Sequence, residues 1–210
     1  MKAKILYLYY DIMNLYGENG NIRMIERVLK NKGAEVEIDR KTITDTDINF
    51  MQYDFIYCGA GTELSRDVCI EHLRKFKESL KDAFNNDKVM LFTGNSYEML
   101  GSSLKTASGE EKEGIGIFNF RAEEQHKNRY SGDVTLKSEL FEDNFIGYIN
   151  KCSKVEGIEN PLFAVKVDAG SLTDTSDGIH EKNFFGTQVI GPIMVKNPAF
   201  AEYIAKLIIA

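Results

Sequence analysis

A chain of 210 residues, 43% hydrophobic and 28% charged, is long enough for one well-buried core and has the composition of an ordinary soluble globular protein. A formal charge of −6 with no Lys/Arg-rich stripe excludes nucleic acid as the main partner. No run approaches the ~20 apolar residues of a membrane span, and no signal-peptide pattern follows Met1. Three scattered cysteines, Cys58, Cys69 and Cys152, suit neither a disulfide framework nor a metal site. A cytoplasmic protein with no metal or other cofactor is the expectation.

In chain order, Lys4 to Tyr10 is a short continuous apolar run, the pattern of a strand covered on both faces. The Gly-rich loop Tyr16 to Asn21 follows, then a helical pattern from Ile22 to Asn31 that ends at Gly33. Strands are predicted over Ala34 to Ile38 and Tyr53 to Cys58, the latter closing on Gly59-Ala60-Gly61. The pattern of Leu64 to Phe84 predicts one long amphipathic helix, and Lys88 to Thr93 a buried strand that enters the tight turn Gly94-Asn95-Ser96 and a short helix to Leu100. Strand–helix alternation of this kind predicts a parallel sheet with helices on both faces.

The second half changes character. Gly116 to Arg121, Asp133 to Lys137, Phe145 to Asn150, Phe163 to Val167 and Phe184 to Ile190 are short β-like runs with little helix between them, expected to extend the same sheet in antiparallel fashion. Pro198 to Ile209 reads as a closing helix with Asn197 as N-cap and proline at its first position. With no repeat, linker or low-complexity segment, a single domain over 1–210 is expected.

The loop from Tyr9 to Asn21 resembles the opening of the glutaminase subunits of lipid II isoglutaminyl synthase (GatD type), within the cobyric-acid-synthase-like class I glutamine amidotransferases. Gly59-Ala60-Gly61, Tyr97 to Gly101, Gly114 to Arg129, Gly147 to Asn150, Gly186-Thr187, Gly191-Pro192 and Lys196 to Pro198 continue the resemblance in order over nearly the whole chain. It implies an α/β, flavodoxin-like fold, a mostly parallel sheet flanked by helices with an antiparallel extension in the C-terminal half. It also implies a Mur-ligase-like synthetase partner and amidation of a cell-wall precursor with nitrogen from glutamine.

A glutaminase of this class needs a thiolate on a sharp strand-to-helix turn, where a helix N-terminus and exposed amides lower its pKa and stabilise the oxyanion, and a histidine that takes and returns the proton. The family pattern places Gly94 at the nucleophile, Asn95 and Ser96 at the two following glycines, Glu98 at a glutamine and Ile190 at the histidine. Neither Gly94 nor Ile190 can do that chemistry, and losing such a group costs on the order of 10⁶ in rate in a comparable enzyme. By the same resemblance the Gly59-Ala60-Gly61 amides help form the oxyanion hole, and Arg129 holds the carboxylate of glutamine; taken alone, Arg129 is equally an ordinary surface arginine. Ile149 and Lys151 stand where the family has a glutamate and a histidine.

The leading expectation is therefore a non-catalytic subunit of a hetero-oligomer. The alternatives are a hydrolase with a relocated nucleophile, Ser96 paired with His180, and a stand-alone binding protein for glutamine or a related amino acid. Other ionisable groups read blandly: His72 on the surface of a helix, His126 and His180 in polar loops, Glu110, Glu111, Glu113, Asp174, Asp177 and Glu181 as solvated carboxylates. Cys58 and Cys69 read as small core residues, and Cys152 as a thiol with nothing to activate it.

Overall fold

Successive side chains of a strand point to opposite faces of its sheet, so an unbroken apolar strand must be covered on both sides. The computed structural model describes all residues except 126, 128, 169–171 and 173, and the backbone alone at 168. The first four strands are β1 (Lys2–Leu8), β2 (Glu35–Lys41), β3 (Phe55–Cys58) and β4 (Val89–Thr93). The helices among them are α1 (Asn19–Asn31), α2 (Glu63–Leu73) and α3 (Lys77–Asn85). Ile5, Tyr7, Phe55, Tyr57, Val89 and Leu91 face one core with α1, while Leu6, Leu8, Ile56, Cys58, Met90 and Phe92 face a second with Ile70, Leu73 and Leu80 of α2 and α3.

Short strands fill the second half: β5 (Ser103–Lys105), β6 (Glu111–Glu113), β7 (Arg121–Glu124), β8 (Tyr130–Lys137), β9 (Phe145–Lys151), β10 (Ser153–Glu156) and β11 (Phe163–Asp168). They are followed by β12 (Ser176–Asp177), β13 (Ile179–Glu181), β14 (Phe184–Thr187) and β15 (Val189–Ile190), and the chain ends with α4 (Ile193–Lys196) and α5 (Pro198–Ile209). The main sheet runs β13-β14-β4-β3-β1-β2 and is parallel except for β13. The other strands do not extend it. They form a four-stranded sheet, β10-β7-β5-β6, and an antiparallel sheet, β12-β11-β8-β9-β15, whose apolar face joins the α1 core together with α5.

Several predicted elements change. The long helix over Leu64 to Phe84 is two, because the chain tightens into a 3-10 turn at Arg74–Phe76 and Phe76 leaves helical angles at φ −114°, ψ 13°. The run from Phe184 to Ile190 breaks at Gln188, so that β14 stays in the main sheet and β15 crosses to the antiparallel one. Gly116 to Phe120 is irregular, and strand begins only at Arg121.

Asn197 precedes α5 and Pro198 opens it, as the sequence suggests, but the Asn197 side chain caps nothing. Its Oδ1 accepts from the Ile146 amide at 2.9 Å, while Nδ2 donates to the carbonyls of Ile146 and Ile193 at 3.0 and 2.9 Å, pinning the closing helix to β9. A cap and a cross-link respond differently to aspartate. Asn197→Ala is expected to lower the unfolding free energy by about 1–3 kcal/mol, the cost of orphaned buried partners. Asn197→Asp, an acceptable cap residue, is expected to cost at least as much, because its oxygens face two carbonyls. Urea unfolding of both variants measures this; an Asp variant as stable as the parent refutes the cross-link.

Candidate active site

The loops after β1, β3 and β4 meet at the carboxyl ends of the parallel strands, where open α/β sheets bind ligands. Gly94, first residue after β4, has φ +60°, a left-handed conformation strained for any side chain. A Cβ built there would lie 2.5 Å from Ala60 Cβ and 3.0 Å from Ile190 Cγ2. Gly94, Ala60 and Ile190 therefore pack against one another with no room for a nucleophile's side chain. Ile190 arrives because Thr187 pairs with Thr93 in the main sheet and β15 then pairs with β9, opposite Tyr148 and the buried Ile149.

The next two residues close the elbow further. Asn95 Oδ1 accepts from the Gly61 amide at 3.1 Å, and its Nδ2 donates to the Gly61 carbonyl at 2.9 Å. An amide that the family resemblance gives to the oxyanion hole is thus satisfied internally. Ser96 is fully buried, and its hydroxyl donates to the carbonyls of Cys58 and Thr93 at 3.0 and 2.8 Å. No base is among its partners. His180 lies on β13, stacked on Phe185, and lines a different cleft beside Lys137 and Asn160. His126 lies outside the described residues.

The Tyr16 to Asn21 loop holds this arrangement in place. Glu18 is fully buried, and its carboxylate accepts from the amides of Tyr16 at 2.7 Å and Gly191 at 3.2 Å. Burial raises its pKa, while the amides of Tyr16, of Glu18 itself and of Gly191 pull the other way. Asn21 donates to the Tyr57 hydroxyl at 2.8 Å and accepts from the Met194 amide at 2.9 Å. Gly59 has to be glycine, since a Cβ would sit 2.4 Å from the Met13 carbonyl oxygen and 2.6 Å from Glu18.

Beside the elbow opens a cleft of about 270 Å³, whose lining includes Ala60, Gly61, Asn95 and Ile190. Its floor is a buried polar network. Arg66 and Glu98 are each 1% exposed and paired at 3.1 Å; Glu98 also accepts from Gln188 Nε2 at 2.7 Å and from the Ser153 hydroxyl. Arg66 further pairs with Asp67 and Glu124 at 2.7 and 2.5 Å. At the mouth stands Arg129, paired with Glu63 and hydrogen-bonded to Asn150 Oδ1 at 3.0 Å. Cys152 lines the same cleft and donates to Glu63 at 3.1 Å. Burial and the Glu63 carboxylate push its thiol up to about 12, so the sulfur is protonated at neutral pH and a poor nucleophile.

Four more residues are not where the sequence puts them. His72 is buried; the Tyr9 hydroxyl donates to its Nδ1 at 2.9 Å and its Nε2–H donates to the Asp45 carbonyl at 2.8 Å. Asp177 is buried too, accepting from the Thr187 hydroxyl and the Gln188 amide. Glu111 and Glu113 belong to a strand, although both remain exposed. Sequence reasoning missed Glu63, Arg66, Gln188 and Ser153, whose partners lie 32 to 90 positions away. Asn95 alone had a signal, an amide side chain where the family has glycine. Among the described residues no group of three or more His, Cys, Asp or Glu side chains is set to hold a metal ion, and no helix is long and apolar enough to cross a membrane.

A sequence profile of CobB/CobQ-like glutamine amidotransferase domains matches residues 4–198. The GatD subunit of the glutamine-hydrolysing lipid II isoglutaminyl synthase of Streptococcus pneumoniae (strain ATCC BAA-255 / R6) is 32% identical over 203 residues, 95% of this chain and 78% of that protein. Its Staphylococcus aureus (strain N315) counterpart is 30% identical over 202 residues, 95% and 82% of the two chains. Among solved structures, the glutaminase domain of Trypanosoma brucei CTPS with bound acivicin superposes with a TM-score of 0.61 at 8% identity, over 99% of this chain and 94% of that one. A chain of PurLQS from Thermotoga maritima gives 0.58 at 16% identity, over 99% and 96%. Likeness at such identities shows the fold alone, which is that of the class I glutamine amidotransferases.

The floor network carries its own test. Removing one member of a buried ion pair strands the other, typically at about 3–5 kcal/mol. Arg66→Met is expected to destabilise by that much in urea unfolding. Adding Glu98→Gln should recover part of the loss, because no uncompensated charge then remains beside Gln188 and Ser153. Additive losses would mean that the two side chains act independently.

Proposed function

The chain belongs to the CobB/CobQ-like glutamine amidotransferase family, and from that premise we propose that it is the amidotransferase-like subunit of a two-component amidating enzyme, one that no longer hydrolyses glutamine. The observation that carries this reading is the packing of Gly94 at φ +60° against Ala60 and Ile190, where nucleophile and base belong. Asn95 on the Gly61 amide supports it, since the amide aimed at a developing oxyanion is occupied. The partner in this reading is a Mur-ligase-like synthetase, and the product an amidated cell-wall precursor, by homology to proteins named as lipid II isoglutaminyl synthase subunits. The whole of 1–210 acts as one domain, in the cytoplasm, and the synthetase draws on free ammonia.

The rival readings fit the geometry less well. A nucleophilic Ser96 would have to leave two carbonyl acceptors and find a base and an opening, since it is fully enclosed. A stand-alone glutamine-binding protein would need the Arg129 fork, which Glu63 and Asn150 already engage.

Purified with its synthetase partner, the protein is expected to support amidation of the precursor from ammonium chloride and not from glutamine, and to release no glutamate above background. Glutamine-dependent turnover that Ser96→Ala abolishes would establish the relocated nucleophile instead. Gly94→Cys with Ile190→His should stay at background, because Ala60 Cβ occupies the space of the new side chain and Asn95 still holds Gly61. Adding Ala60→Gly and Asn95→Gly should give the first measurable glutamate release, held to a faint rate by Ile149 and Lys151.

A further inference from the structure

Glu63 opens α2 directly after its N-cap, Thr62, whose hydroxyl accepts from the Ser65 amide at 3.0 Å. A carboxylate in a first helical turn gains enough from the free amides and the helix dipole to stay there or turn to water. The Glu63 carboxylate meets its own amide and also reaches to the cleft mouth, where one oxygen accepts from both Arg129 and the Cys152 thiol. Arg129 is steadied from its other side by Asn150 Oδ1, and Asn150 Nδ2 donates to the Tyr16 hydroxyl at 3.0 Å. All five side chains line the cleft. They form one connected set across its mouth, from the Tyr16 loop to the start of α2.

We propose that Glu63 is an intramolecular carboxylate ligand of Arg129 that closes the cleft to free amino acids. The inference deepens the reading of the cleft as a site that no longer hydrolyses glutamine, and it rests on that reading. A carboxylate on the same chain competes at an effective concentration of millimolar order or higher, which a free metabolite must exceed to displace it. Glu63 is ionised at neutral pH. Partial burial opposes its charge, but the Cys152 thiol, its own amide and Arg129 outweigh that and hold the carboxyl below the ordinary glutamate range. Because Glu63 and Arg129 are 39% and 46% exposed, water screens their pairing. The closure is therefore a latch that can be opened, not a permanent seal.

Calorimetric titration of the full chain with L-glutamine tests this. The parent protein is expected to show no saturable binding. Glu63→Ala, and the isosteric Glu63→Gln as a check against misfolding, should tighten L-glutamine binding by about ten- to a hundredfold, the range of one charge-assisted hydrogen bond. The gain should vanish in Glu63→Ala with Arg129→Ala. Binding by the parent that weakens on Glu63→Ala would make Glu63 a ligand contact and overturn the proposal. So would no gain in either single variant, or a gain that survives the loss of Arg129. Glutamate release, measured on the same samples, is a separate readout: its appearance in the parent sinks the proposed function, whatever the titration gives.

Discussion

The carboxylate of Glu18 sets the geometry on which the site depends. Burying an ionisable group without partners is costly, and this one has no exposed surface. It is accommodated because its oxygens meet main-chain amides that would otherwise be orphaned, those of Tyr16 and Gly191. The same side chain presses so closely on Gly59 that only a glycine fits there. One residue thus fixes three loops at the strand ends: its own, the one after β3, and the turn that follows Ile190. Asn21 adds a second tie through Met194 and Tyr57, and Tyr57 lies 3.1 Å from the Thr93 hydroxyl, immediately before Gly94. The loop holds the frame.

Gly94, Ile190, Asn95 and Glu98 shape the cleft in different physical ways. Gly94 removes a side chain and with it the strain of φ +60°. Ile190 presents to the cleft only atoms that neither donate nor accept, making that wall apolar. Asn95 adds polarity but directs it inward, onto Gly61. Glu98 does the same in the cleft floor, in a ring of donors from Arg66, Gln188 and Ser153.

How much of this could be read in the sequence follows from the range of the forces involved. The parallel strands were legible because a strand covered on both faces leaves an unbroken apolar run, and Gly94 and Ile190 were legible because the elbow and the strand end are ordered landmarks. The split of Leu64 to Phe84 was not, since the turn at Arg74–Phe76 contains no proline or glycine and the helical pattern passes through it. Asn197 has the residue type of a cap, and Ile193 and the distant Ile146 divert its side chain. His72 and Asp177 look solvated in sequence because their partners, Tyr9 and Asp45 for one, Thr187 and Gln188 for the other, come from other segments. Arg66 and Glu98 are the extreme case. A buried charge pair leaves no periodic trace, and each residue alone belongs to a type usually found on the surface.

A working glutaminase must hold some donors and charges ready for a substrate that is absent most of the time, and groups left waiting in a partly dry cleft cost stability. In this chain the donors and charges around the cleft have partners of their own: Asn95 on Gly61, Glu63 and Asn150 on Arg129, and three donors on Glu98. Among the described residues the buried side-chain atoms without a partner are Tyr7 Oη and Arg74 Nε, and neither residue lines the cleft. Internal satisfaction of this completeness makes the cleft wall rigid. Under the function proposed above, a donor pointed at an absent substrate gains nothing, whereas each internal partner it acquires adds to the stability of the folded chain.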